Sequence, residues 1–233
     1  MKRKKSSGRN GSGGKSHQVQ LACSLALNAL IFVFTVYSLF LCFYDSATGE
    51  FTRGGLRAFR YFTVDSNIFC ALASLITIIV ELRLLSKNSG ALPEWLLLFK
   101  YMGTAAVTLT LLTCVFYLSD MAGGFGNLIH GRELFMHLLT PLAAILSFVL
   151  FEHGPVLRLW TVFLPLIPVV AYGAVYFYYV LAVPKDHGGW QDFYGFVHNR
   201  DWYTATLVMF AATLLICLVL WLLHRLFDQA GRK

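Results

Sequence analysis

Residues 203–226 read YTATLVMFAATLLICLVLWLLHRL, and the first Lys, Arg, Asp or Glu of this run is Arg225. An α-helix needs about 20 apolar residues to cross a hydrocarbon core of ~30 Å. The run therefore predicts a membrane-spanning helix, and five similar stretches precede it. The six predicted spans cover about 18–44, 61–85, 95–118, 134–152, 158–183 and 203–226.

The composition of the whole chain agrees with this division. Of the 233 residues 57% are hydrophobic and only 13% are charged, whereas a soluble domain carries roughly 25% charged residues. Backbone polar groups cannot stay unpaired in lipid, so each apolar stretch must be a helix, because the alternating strands of a membrane barrel are not seen. We predict an all-α polytopic membrane protein whose six transmembrane helices form a bundle over 18–227. A disordered basic tail is predicted at 1–17 and a short C-terminal tail at 228–233.

The distribution of Lys and Arg predicts the orientation of the bundle. Thirteen of the 19 basic residues fall on the side of the two termini, six of them in the N-terminal tail, and six fall on the other side. The positive-inside rule then puts both termini in the cytoplasm and the protein in the cell membrane. The basic tail is expected to be attracted to anionic lipid headgroups. The expected partner is therefore the lipid bilayer and not a nucleic acid.

In this orientation most polar side chains of the spans lie in the outer half of the membrane. The inner half holds chiefly Glu81, Arg83 and Lys100, which are near enough to the inner surface to extend toward water. A functional site is therefore expected in the outer half. The polar residues there are Thr63, Asp65, Asn67, Asp120, His137, Thr140, Asp201 and Thr204.

Two of these residues form a chemically plausible pair. A threonine hydroxyl is a poor nucleophile unless an adjacent base takes its proton, and a neutral imidazole is such a base. Thr63 opens the second span and His137 opens the fourth, at the same expected depth. Pro141 removes a helical hydrogen bond from the carbonyl of His137. The pair therefore predicts acyl-transfer chemistry, and the alternative is a simple hydrogen bond between two helices.

Further residues would support such a site. Asn67 and the backbone amides near Pro141 are candidate donors to a developing oxyanion. Asp65 or Asp120 would orient the imidazole, and Asp65 has a second interpretation as an ion-pair partner of Arg57 or Arg60. Thr140 is a further supporting polar residue at this depth.

A competing interpretation is a metal site. His130, Glu133 and His137 lie at i, i+3 and i+7, on one face if the fourth helix extends that far. His187 or His198 would have to complete the ligand set. The Gly-rich run at 123–127 indicates a loop, however, and so leaves His130 near or outside the helix. We predict no metal at this site.

The fifth span has two open interpretations. Pro165 and Pro168 predict a kinked helix, and Tyr172 and Tyr176 then belong to an aromatic belt at the outer interface. Alternatively, these two tyrosines form the rim of a lipid cavity. The chain has no P-loop, Rossmann glycine pattern or HExxH motif, and we therefore predict no cofactor.

Two segments resemble a known family. They are Arg60-Tyr-Phe-Thr63-Val-Asp-Ser-Asn67 and Met136-His137-Leu-Leu-Thr-Pro141. With the six spans, they resemble the prokaryotic six-pass integral membrane family distantly related to the FAR-17a/androgen-induced-gene membrane proteins, over roughly 18–227. In the eukaryotic relatives a threonine near the start of the second span and a histidine in the fourth are the catalytic pair of a fatty-ester hydrolase. The resemblance implies these roles for Thr63 and His137.

Residue chemistry and resemblance together predict a threonine-type hydrolase or acyltransferase in the membrane, acting on a lipid ester or another acyl-chain substrate. The alternative is a non-enzymatic lipid- or small-molecule-binding membrane protein or a transporter. In that case Thr63 and His137 only tie two helices together. The enzyme hypothesis requires their side chains to meet at the end of an apolar cavity that opens sideways to the outer leaflet.

Overall fold

The computed structural model of the protein describes residues 10–45, 48–87, 90–121, 123–197 and 201–231. Six helices in these ranges are long and apolar enough to cross a membrane. This confirms the predicted all-α, six-helix membrane architecture. The helices are α1 (Asn10–Phe43), α2 (Phe62–Lys87), α3 (Glu94–Leu118), α4 (Arg132–Phe151), α5 (Leu159–Ala182) and α6 (Trp202–Gly231).

The first and last helices of the chain, α1 and α6, extend beyond the apolar stretches that define their spans. α1 begins at Asn10, so residues 10–17 of the predicted tail are helical, and residues 1–9 lie outside the described residues. α6 continues to Gly231 past the predicted boundary at 227. Hydropathy marks only the part of a helix that crosses lipid, and polar residues can extend the same helix beyond it.

Three of the helices contain irregular turns. α3 ends in a π-helical turn, and α4 contains two such turns. α5 begins with a 3₁₀ turn at Leu159–Phe163 and ends in a π turn at Tyr178–Ala182. π turns are rare in proteins, and those that occur often lie at functional sites. The turn at Phe135–Leu139 contains His137.

The connections between helices are mostly irregular. A two-residue strand β1 (Tyr44–Asp45) pairs antiparallel with β2 (Glu50–Phe51) after α1. Short 3₁₀ helices cover Arg53–Arg60, Phe125–Leu128 and Lys185–His187. A further connection at 183–197 folds back over the end of the bundle, where Trp190 and Tyr194 are buried.

α3 is the central helix, since more of its apolar stretch is buried than in any other span. It contacts α2, α4, α5 and α6, while α1 packs on α2 and α4. Gly103 permits the close approach of α2, because a Cβ there would lie 3.0 Å from the Cα of Cys70. On the opposite side Tyr101 donates a hydrogen bond of 2.6 Å to the Cys217 carbonyl of α6. This packing brings the first turns of α2 and α4 together.

Candidate functional site

Thr63 and His137 lie side by side where α2 and α4 meet. The Thr63 Oγ1 atom is 3.4 Å from the His137 Nε2 atom. His137 is 7% exposed and Thr63 is partly buried. The distance is at the long end for a hydrogen bond.

A backbone carbonyl orients the imidazole of His137. The Nδ1 atom lies 2.9 Å from the carbonyl oxygen of Leu128, in the connection before α4. A carbonyl only accepts, so Nδ1 carries the proton and Nε2 presents its lone pair to Thr63. The Glu133 carboxylate lies 3.6 Å from Nδ1, one helical turn before the histidine. In this tautomer the Nε2 atom is the acceptor that faces the Thr63 hydroxyl.

Pro141 and the π turn leave one backbone carbonyl next to this pair without a partner within the helix. The Thr140 N–H bonds to the carbonyl of Phe135, five residues back. In this register the partner of the Met136 carbonyl would be Pro141, which has no N–H. The carbonyl that loses its bond to position 141 is therefore that of Met136 and not, as predicted, that of His137. The side chain of Asn67 donates to that carbonyl at 3.1 Å and to the Thr63 carbonyl at 2.7 Å. Asn67 therefore fastens α2 to α4.

These contacts correct the predicted role of Asn67. An amide group has two donor hydrogens, and both are engaged with carbonyls. Asn67 is therefore not the oxyanion donor, and its function is to hold Thr63 and Met136 in register.

The N-terminus of α2 offers another donor. The first four N–H groups of a helix have no acceptor within it. Here the Phe62 N–H donates to the Tyr194 hydroxyl, and the N–H groups of Val64 and Asp65 donate to the Tyr61 carbonyl. The remaining N–H, that of Thr63 itself, has no partner among the described residues. It lies beside the Thr63 hydroxyl at the positive end of the helix dipole.

An apolar cavity of about 310 Å³ ends at Thr63. It lies among α3, α5, α6 and the first turn of α2, with Leu109, Met209 and Val169 in its walls. Val170 of α5 and Phe210 of α6 line the cavity and are also exposed on the outside of the bundle. These two residues place the mouth of the cavity along α5 and α6. Thr63 lines the cavity, and His137 is not among its lining residues.

Aromatic side chains close the end of this cavity. Tyr172 and Tyr176 line it, as does Tyr194 from the 183–197 connection. The Tyr172 hydroxyl donates to the Arg60 carbonyl at 2.7 Å, and the Tyr176 hydroxyl donates to Asp192 at 2.6 Å. Burial raises the pKa of the Tyr194 phenol, so its hydroxyl stays neutral where it receives the Phe62 N–H. Tyr172 and Tyr176 therefore lie in the wall of the cavity, as residues whose hydroxyls are hydrogen-bonded to the protein.

The other predicted polar residues do not join the pair. Asp120 is exposed, and Leu128 and Glu133 take the orienting position predicted for it. Asp65 lines a separate cavity with Trp190, and among the described residues it forms no ion pair with an arginine. Thr140 is fully buried, and its hydroxyl has no hydrogen-bond partner in the described part of the chain.

The described ranges contain no group of three or more His, Cys, Asp or Glu side chains that could hold a metal ion. His130 is exposed and precedes α4, which begins at Arg132. His198, the other candidate ligand from the last outer connection, lies outside the described residues.

A second polar cluster lies in the opposite half of the bundle, and sequence reasoning missed it. Lys100 is fully buried, and its ammonium donates to Asn28 at 2.7 Å and to Ser74 at 2.9 Å. It also lies 3.3 Å from the Glu152 carboxylate. Asn28 and Ser147 donate to the same Glu152 oxygen, at 3.1 and 2.7 Å.

The prediction that Glu81 and Lys100 extend toward water is wrong. Both side chains are 0% exposed. Lys100 lies on the central helix, where water is not within reach of its side chain. The signal in the sequence was an ionisable residue inside an apolar run, which is a functional candidate by default.

The fold thus defines a six-pass integral membrane protein with a hydroxyl–imidazole pair at the end of an apolar cavity. A family model described as "Protein of unknown function (DUF1600)" matches residues 131–231, which is less than half of the chain. That segment includes His137 but not Thr63. No curated protein and no solved structure matches the chain.

Proposed function

We propose that the protein is an intramembrane hydrolase or acyltransferase that acts on lipid esters, with Thr63 as nucleophile and His137 as general base. The observation that carries the proposal is the 3.4 Å approach of Thr63 Oγ1 to an imidazole nitrogen whose lone pair faces the hydroxyl. The apolar cavity that ends at Thr63 supports it independently.

In the first half of the reaction, His137 Nε2 takes the hydroxyl proton while Thr63 Oγ1 attacks the ester carbonyl carbon. The carbonyl oxygen becomes an oxyanion, and the Thr63 N–H stabilises it. The intermediate collapses when the C–O bond to the alcohol breaks. The alcohol leaves with the proton that His137 returns, and the acyl group remains on Thr63 as an ester.

In the second half, His137 takes a proton from water, and the resulting hydroxide oxygen attacks the acyl carbon. The acid leaves and the proton returns to Thr63 Oγ1, so the enzyme is restored. If an alcohol replaces water, the same steps transfer the acyl group to it. The Glu133 side chain is 32% exposed and lies 3.6 Å from the imidazole, and we assign the aqueous approach of the acceptor to this exposed edge of the site.

The cavity favours an acyl chain as the bound part of the substrate. Its volume of about 310 Å³ lies at the lower end of the range of about 300–1,000 Å³ for ligand pockets. Its mouth between α5 and α6 opens toward lipid, so a lipid ester can enter from the membrane.

A serine-hydrolase probe tests this function. A long-chain fluorophosphonate should label the wild type, because Thr63 Oγ1 attacks phosphorus and fluoride leaves. Mass spectrometry of the digested protein should find the adduct on Thr63. Thr63→Ser should retain labelling and Thr63→Val should lose it at unchanged thermal stability. Absence of labelling in a folded wild type, or an adduct on another residue, would contradict the proposal.

We also propose that both termini are cytoplasmic, so that the catalytic pair faces the outer leaflet. Asp186 lies in the connection after α5 and its side chain is 78% exposed. In a variant with all five cysteines replaced by alanine, Asp186→Cys should react with a membrane-impermeant maleimide on intact cells. The cysteine-free parent is the control. Reaction only after permeabilisation would reverse the orientation.

A further inference from the structure

A third cavity opens at the opposite end of the bundle from the catalytic pair. Its volume is about 600 Å³, and it lies among α1, α2, α6 and the connections at 90–92 and 151–155. Glu81 of α2 lies in its wall, as do His153 and Asp228. We propose that this cavity binds an organic primary ammonium group, with the Glu81 carboxylate as its counter-ion.

The charge of Lys100 is not available to Glu81. The Lys100 ammonium has three acceptors at 2.7–3.3 Å, and the carboxylate among them belongs to Glu152. The same Glu152 oxygen accepts from Asn28 and Ser147. Lys100 and Glu152 therefore form a neutral pair. Glu81 is the remaining buried carboxylate of this cluster.

Glu81 is bound through one oxygen only. The Ser24 hydroxyl donates to Oε1, while Oε2 has no hydrogen-bond partner among the described residues. The side chain is 0% exposed. A buried carboxylate oxygen without a donor costs several kcal/mol, and a donor bound in the cavity beside Glu81 would remove this cost.

A second residue of the cavity wall, His153, also has a polar atom without a hydrogen-bond partner. His153 Nδ1 lies 3.2 Å from an Asp228 carboxylate oxygen and donates to it, and in this tautomer of the neutral ring Nε2 is an acceptor. His153 Nε2 has no partner in the described part of the chain. Two residues of the cavity wall therefore carry buried polar atoms without a partner in the described part of the chain, and an ammonium group supplies three donors and a positive charge.

The cavity is suited to an organic cation and not to a bare ion. Neither Lys nor Arg is present among its described lining residues. Leu21, Leu92 and Phe151 provide apolar wall, and the volume far exceeds the ~30 Å³ share of one water. A protonated amine with an apolar carbon portion matches both features. A free amine and the aminoethyl headgroup of phosphatidylethanolamine share this chemistry.

The test measures binding in nanodiscs. In phosphatidylcholine nanodiscs, n-butylammonium chloride should raise the melting temperature of the wild-type protein in a saturable way, while n-butanol should not. Glu81→Gln retains the shape and the acceptor for Ser24, and it should weaken the apparent Kd at least about tenfold, since the charge-assisted bond is lost. Glu94→Gln, an exposed carboxylate at the same end of the bundle, should bind as wild type.

Further measurements distinguish a lipid amine from a free amine, and a second variant tests the proposal if Glu81→Gln does not fold. If phosphatidylethanolamine in the nanodisc raises the wild-type melting temperature but not that of Glu81→Gln, the lipid headgroup is the ligand. A response to n-butylammonium alone identifies a free amine. If Glu81→Gln does not fold, His153→Gln should still weaken binding. Equal affinity of wild type and Glu81→Gln, or an equal response to butanol, would overturn the proposal.

Discussion

Replacing Lys100 by methionine is expected to lower the free energy of unfolding by about 3–5 kcal/mol, because it breaks a buried ion pair and leaves one charge without a partner. Lys100 and Glu152 are 0% and 1% exposed. Methionine has a similar length and no branching, so the loss of packing is small. Unfolding in mixed micelles, followed by tryptophan fluorescence, measures the change.

Two controls separate the buried charge from general damage. Lys87→Met removes an exposed lysine at the same end of the bundle and should change stability by less than about 1 kcal/mol. The double variant Lys100→Met with Glu152→Gln removes both charges and should be more stable than Lys100→Met alone. If Lys100→Met unfolds at the wild-type denaturant concentration, the described ion pair does not exist in the membrane protein.

Replacing His137 by glutamine is expected to reduce the rate of lipid-ester hydrolysis by about 10²–10⁴-fold, the usual contribution of a general base. Glutamine fills a similar volume and can still bond to the Leu128 carbonyl. It cannot take the proton of Thr63. The loss should appear in the rate constant and not in the stability of the protein, which melting temperature reports.

Glu133→Gln is the matched control for this prediction. The Glu133 carboxylate lies 3.6 Å from the imidazole, but the shorter contact of the histidine is to the Leu128 carbonyl. The control should therefore retain activity within about tenfold of wild type, as an outlying charge contributes at most about 1 kcal/mol. A larger loss in Glu133→Gln than in His137→Gln would make the glutamate the base.

The sequence predicted the six spans because crossing lipid imposes a length and a composition that few other folds share. It also placed Thr63 and His137 at one depth, since both open their helices on the same side. That they touch depends on α2 and α4 being neighbours, which hydropathy does not specify. The orienting group was not predictable, because the Leu128 carbonyl is a backbone atom that any residue would supply.

The error over Lys100 has a related cause. Position along the chain gives the depth of a residue in the membrane, and Lys100 lies close to the start of α3. The depth of a residue does not specify whether its side chain points into the bundle or toward the surface. α3 is surrounded by other helices, so the lysine points into the protein and not toward the surface. Helix order in the bundle was the missing information.

The central claim is that Thr63 performs acyl transfer with His137, and the direct measurement is the rate of fatty-acid release from a long-chain fluorogenic ester in proteoliposomes. The wild type should release acid above protein-free liposomes. Thr63→Val, reconstituted to the same amount and with the same melting temperature, should be at background. Equal rates for wild type and Thr63→Val would contradict the account.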